Sequence, residues 1–186
     1  MPYRINPSYK DCYYHVYNRG NNLENIFFEK RNYEFFIRKL LEAFKDKIDL
    51  ICYCLMPNHY HLIVYVKENG ALEKAMQKFS IGYAKAINKG QNRVGHLFQG
   101  RYKNKLVPDN NYLLHLSRYI HLNPVKAGLV KKPEEYNYSS YLEYVGDRKS
   151  GFLNFKIVTD QMENYKEFVI SFQEDQSYYL KDIIFE

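Results

Sequence analysis

Apolar positions along the chain switch between a strand-like period and a helix-like one, and the switches mark out the elements. Residues 12–18, CYYHVYN, are rich in β-formers and end at Gly20, which predicts a strand and then a polar turn, Arg19-Gly20-Asn21-Asn22. Over 31–46, Phe35, Phe36, Leu40, Leu41 and Phe44 fall at helical spacing. Asp49 to Met56 reads as a strand closed by Pro57-Asn58, and residues 59–66, HYHLIVYV, as the next. The short gap makes these two an antiparallel hairpin. Gly70 opens a second amphipathic helix, with Leu72, Ala75, Met76, Phe79 and Tyr83 on one stripe, ending at Gly90. Residues 95–107, GHLFQGRYKNKLV, read as another strand or hairpin. Asp109 is placed to cap a third helix that runs to Asn123, where Pro124 limits it.

The order is therefore strand, helix, strand, strand, helix, strand, helix. It predicts an α+β fold of ferredoxin-like sandwich type, an antiparallel sheet with helices packed on one face. The pattern weakens after Gly146. The chain thus divides into a domain over 1–146 and a C-terminal extension over 147–186, with a short helix near 160–173 and an apolar, acidic end, YYLKDIIFE.

Composition narrows the class. A chain of 186 residues suits one domain and buries roughly two-thirds of its unfolded surface. A hydrophobic content of 46% excludes a disordered chain. The formal charge of +6 suits a polyanionic partner without specifying one. Twenty Tyr and 12 Phe stand against no Trp. Tyrosine offers a face for base stacking and a hydroxyl for phosphate, although any single tyrosine is by default a packed large residue. Three cysteines cannot make a fully paired disulfide framework. Residues 1–10 lack the apolar core of an export signal, and no apolar run is long enough to span a bilayer. The expectation is a reduced, cytoplasmic protein with no membrane partner.

His59 and His61 alternate with Tyr60 on the predicted strand, so both imidazoles point the same way and make half of a metal site. The same spacing also fits two unrelated strand histidines. The longer motif is more specific. MPNHYHLIV resembles the strand of histidine, hydrophobic residue, histidine (HUH) in the single-tyrosine transposases of small insertion sequences. HLFQGRYK, SRYIHLNPVKAGLV and the opening YHVYNRGNN are similar to the REP-associated tyrosine transposases, a branch of that group. The likeness covers roughly residues 10–145 and stops before the extension.

The resemblance implies a nuclease that cuts single-stranded DNA with a tyrosine on the third helix, and the matching position is Tyr119. Tyr119 and Asn123 lie four apart on that helix and share a face. The Asn123 amide oxygen can thus complete a metal site begun by His59 and His61, although Asn123 also reads as a helix C-cap. Two imidazoles and a neutral oxygen suit a divalent metal ion, Mg²⁺ or Mn²⁺, and Zn²⁺ would bind the imidazoles too. Attack would leave a 5′-phosphotyrosine and a free 3′-hydroxyl. The implied partner is single-stranded DNA with hairpin structure. One nucleophile per chain implies a homodimer for a full transposition cycle.

Arg19, Asn21, Arg101, Lys103, Lys105 and Arg118 are the candidate DNA contacts, with Arg93 and Lys126 beside them. Arg101 and Lys103 alternate with Tyr102, so a strand would put both charges on one face. His115, one turn before Tyr119, reads as a proton-transfer group or a solvent-facing residue. Cys52 and Cys54 would share a face with His59 and His61 in one hairpin register, which describes a closed zinc site; small free cysteines in strands are more often core. Two further functions fit parts of the pattern. A DNA-binding regulator would use the scaffold without cleaving. A metal hydrolase would activate water and need carboxylates nearby; Glu68 and Glu73 follow the strand but belong to a turn and helix start, where acidic residues are expected anyway. Replacing both His59 and His61 by Ala should abolish divalent-metal-dependent cleavage and leave the fold intact.

Overall fold

The computed structural model describes residues 7–171; the apolar, acidic end at 178–186 lies outside them. In chain order the elements are β1 (Cys12–Arg19), α1 (Lys30–Phe44), β2 (Ile48–Met56), β3 (His59–Val66), α2 (Ala71–Gly90), β4 (Lys103–Leu106) and α3 (Asn110–Lys126). Three short helices follow, α4 (Tyr141–Tyr144), α5 (Lys156–Thr159) and α6 (Tyr165–Ile170). The sheet order is β2-β3-β1-β4 with every neighbour antiparallel, the expected ferredoxin-like arrangement, and β3 lies inside it.

Two elements differ from expectation. Only Lys103–Leu106 of the stretch 95–107 pairs as a strand, and the residues before it touch the sheet through a bridge between Gly20 and Phe98. The third helix does not stop at Asn123 but passes through Pro124 to Lys126. Proline removes one N–H and its ring crowds the preceding turn, and here that happens in the final turn. The end is then closed by Ala127 N donating to Asn123 O and Leu129 N to Pro124 O. Asn123 is therefore a helical residue and not a cap.

Alternation along the strands sorts side chains to two cores. On one face Tyr60, Leu62, Val64 and Val66 of β3 meet Phe36 and Leu40 of α1 and Leu72, Met76 and Phe79 of α2. The expectation of helices on one face describes α1 and α2. The structure adds a second layer: Cys52, Cys54 and Ile63 meet Leu113, Leu116 and Ile120 of α3, together with Val158, Tyr165 and Val169 from beyond residue 146. The physical reason is the composition of β2 and β3, apolar on both sides, which calls for cover on both. A register shift between Leu50 and Cys52 inserts Ile51, so that Ile51 and Cys52 both join the second core. Among the described residues, no helix is long and apolar enough to cross a membrane.

Candidate active site

The site lies between β3 and α3. Tyr60 packs under the sheet against Phe36, with ring centroids 5.0 Å apart. Its neighbours His59 and His61 therefore leave the strand on the α3 side. Their rings stand 5.3 Å apart at 86°. From α3, the Tyr119 ring comes edge-on to His61 with centroids 5.9 Å apart. Tyr119 is 9% exposed. Asn123, one turn further along the helix, hydrogen-bonds its side chain. The sequence-selected His59, His61, Tyr119 and Asn123 are thus linked in one place, with the helix delivering what the strand lacks.

Burial sets the protonation of the site. Loss of solvent, then the charge of Arg19, lowers the His59 imidazole to about 4. His61 is pushed well below the ordinary range by burial, then by His15 and His59. At neutral pH both rings are uncharged, the form that binds metal ions. Burial raises the Tyr119 phenol, and Cys54 adds to it. Tyr119 is therefore a protonated phenol at neutral pH.

Basic side chains surround this centre. Arg19 pairs with His59 across β1 and β3 and hydrogen-bonds Gln99. Lys103 is opposite Tyr17 and Lys105 opposite His15, so these two lysines share the site face of β4. Arg101 precedes the strand and is exposed, so the expected Arg101–Lys103 face is replaced by Lys103–Lys105. Lys126 Nζ stands 5.1 Å from the centre of the Tyr119 ring. Asn21 lines an open cleft with Asn22, Glu24, Arg93 and His96. That turn begins at Gly20, where a Cβ would meet the Glu24 carbonyl oxygen at 1.9 Å, so only glycine fits.

Arg118 does not belong to this rim. It is 2% exposed, donates to the Phe168 carbonyl at 3.1 Å and lies 4.3 Å over the Phe168 ring. Its side chain packs on α6, which replaces the expected DNA contact. His115 is engaged with Arg118 at 2.6 Å. The cysteines do share the histidine face, with Cys54 opposite His61. They are nevertheless core residues. Cys52 lies 3.3 Å from His121 Nε2, and burial pushes its thiol up to about 12. Among the described residues, no three His, Cys, Asp or Glu side chains are grouped to hold a metal ion. Glu73 accepts from Ser8 and Glu68 pairs with Lys47 at 2.8 Å, so neither supplies the carboxylate a water-activating hydrolase needs.

Among the described residues, His15 and Asn58 also hydrogen-bond the histidine pair, and neither is among the candidates the sequence offers. His15 of β1 is wholly buried, with Nε2 2.9 Å from His61 Nδ1; burial, then Lys105, lowers its imidazole to about 3. Asn58 Oδ1 is 2.7 Å from His59 Nδ1. Asn58 could have been suspected as the residue next to the motif. A lone histidine in a tyrosine-rich strand carries no such signal.

Comparison with known proteins gives a consistent picture. Residues 8–123 match the family model described as transposase, IS200 like. A REP-associated tyrosine transposase of Haemophilus influenzae is 27% identical over 121 residues, which is 57% of this chain and 69% of that protein. A solved REP-associated tyrosine transposase bound to a REP hairpin superposes with a TM-score of 0.64 at 17% identity, covering 85% of this chain and 96% of that one.

Proposed function

Since the chain belongs to the IS200-like transposase family, we propose that it cuts and rejoins single-stranded DNA through the Tyr119 hydroxyl, with His59, His61 and Asn123 holding a divalent metal ion beside it. The observation that carries this reading is the approach of Tyr119 to His61 across β3 and α3, at 5.9 Å between ring centroids. The donor set fits such an ion. Both imidazoles are neutral, and Asn123 Nδ2 is buried with no hydrogen-bond partner among the described residues. A half-turn of the amide exchanges its nitrogen and oxygen, which would present oxygen at that position. Two imidazoles and one neutral oxygen leave room for phosphate and water, as Mg²⁺ or Mn²⁺ prefer. When bound, the ion polarises the phosphate and offsets its developing charge.

The chain's own residues do the rest. Tyr119 Oη forms the bond to phosphorus while the bond to O3′ breaks. The phenol proton departs and O3′ takes one up, which leaves a 5′-phosphotyrosine and a 3′-hydroxyl. Lys126, above the Tyr119 ring, is placed to favour negative charge on the phenol. The covalent link is still a phosphate diester, so another 3′-hydroxyl can reverse the step without a nucleoside triphosphate. By likeness to the hairpin-bound relative, the substrate is single-stranded DNA with a hairpin. Arg19, Arg101, Lys103 and Lys105 would contact its phosphates and Asn21 a base edge. A homodimer would supply two nucleophiles for paired cuts.

Labelled hairpin-bearing DNA, incubated with the protein and Mn²⁺ and run on a denaturing gel, tests the reading. The unmodified protein should give a covalent adduct that a chelator abolishes. Tyr119→Phe should bind the same DNA and give none, because it loses one oxygen and keeps the ring. An adduct from Tyr119→Phe would move the nucleophile elsewhere. Binding without cleavage by the unmodified protein, in any metal, would make it a regulator.

A further inference from the structure

His15 and Asn58 have no part in the chemistry above, yet each holds one of the two histidines by the same ring nitrogen. Asn58 Nδ2 donates to the Leu23 carbonyl at 3.1 Å, which fixes the amide with Oδ1 toward His59. Oδ1 can only accept, so His59 carries its proton on Nδ1. Its Nε2 is then the nitrogen with a lone pair. His61 is engaged at Nδ1 in turn, by His15 Nε2 at 2.9 Å. The two rings are nearly parallel, 12° apart with centroids 5.1 Å apart, and Tyr17 stacks on His15 at 4.7 Å. This packing fixes the His15 ring in one pose.

Between two neutral imidazoles the hydrogen bond has two forms. In one, His61 Nδ1–H donates to His15 Nε2, and His61 Nε2 can bind a metal ion. In the other the proton of His61 sits on Nε2, and the ring cannot be a ligand through that atom. The first form matches what Asn58 imposes on His59. It also matches the general habit of metal-binding histidines, which donate their second ring N–H to a fixed acceptor.

We infer that His15 is a positioning residue that holds His61 as its Nδ1–H tautomer, aiming Nε2 at the metal site. This rests on the metal reading of the site, and the test separates the two. Ring ¹⁵N spectra of the metal-free unmodified protein should show both His59 and His61 protonated on Nδ1. His15→Phe keeps a stacked ring and removes the acceptor; His61 should become a mixture of tautomers. Its dissociation constant for Mn²⁺, by calorimetry, should rise by about 10- to 100-fold. His15→Gln places an oxygen where His15 Nε2 lies and should restore most of the affinity, which a merely space-filling role would not predict. Finding His61 protonated on Nε2 in the unmodified protein would overturn the inference, and needs no variant to fold. So would His15→Phe binding Mn²⁺ as tightly as the unmodified protein, or Mn²⁺ broadening that marks His15 itself as a ligand. If no protein binds Mn²⁺, the metal reading falls, and the His61 tautomer still decides the role of His15.

Discussion

Truncating His61 would open a hole between β1, β3 and α3, because its ring is wholly buried and bonded to His15. His61→Ala should therefore cost about 2–4 kcal/mol, combining a lost ring with an unmet nitrogen on His15. His59→Ala, at the partly exposed start of the strand, should cost under about 1 kcal/mol. Urea unfolding of the two variants checks this, and equal losses would mean that His61 is not packed as described. The double replacement, expected to leave the fold intact, should therefore carry most of its stability cost at His61. Alternation in the sequence assigns a side of the sheet; depth depends on what crosses that side, and α3 crosses over His61. His15 was less legible still. Its partner lies 46 residues away and is chosen by the pairing of β1 with β3, which no local pattern states.

The helix α3 was legible as an element and not as a neighbour. Asp109 caps it as expected, accepting from Tyr112 N at 2.7 Å. What holds its middle is a buried polar cluster. His121 Nδ1 is 2.8 Å from the Tyr165 hydroxyl, which donates to Ser117 at 3.0 Å, and His121 Nε2 is 2.8 Å from Ser140 Oγ. Tyr165 thus ties α6 to the helix that carries Tyr119. Tyr165→Phe keeps the ring but leaves His121 Nδ1 unmet, and should lower stability by about 1–3 kcal/mol. Thermal melting against the unmodified protein measures it; no change would show that these bonds add nothing net. The same docking explains why Arg118 looked like a DNA contact. It is a basic residue in a helix of otherwise familiar pattern, and the α6 that buries it lies where the sequence pattern is weakest.

At the scale of the whole molecule, buried imidazoles make stability depend on pH. In the fold His15 and His121 are lowered to about 3, His59 to about 4, and His61 well below the ordinary value, in each case chiefly by burial. Unfolded, all four would titrate near about 6.5. Between the folded and unfolded values the unfolded chain binds more protons, so stability is complete above about pH 6.5 and falls as pH drops toward the folded values. Each wholly buried ring adds a slope of about 1.4 kcal/mol per pH unit in that window. Denaturant midpoints should fall steadily from pH 7 to pH 5. A flat profile would show that these rings are already charged in the fold. The cover on both faces of the sheet was readable in principle, since ICYCLM and HLIVYV are apolar on alternate positions of both kinds. What hid the second layer was its composition from α3 and three short helices.

A sheet with a separate core on each face does not have to come apart all at once. The α3 side can loosen while β1, β2 and β3 stay paired over α1 and α2, so Tyr119 can part from the histidines and return without the molecule unfolding. Such breathing would let a bulky strand of DNA reach a tyrosine that is almost closed off at rest. It should be visible as hydrogen exchange: amides of residues 116–120 should exchange sooner than those of 62–64. Equal rates at the two places would mean that the site opens only when everything does.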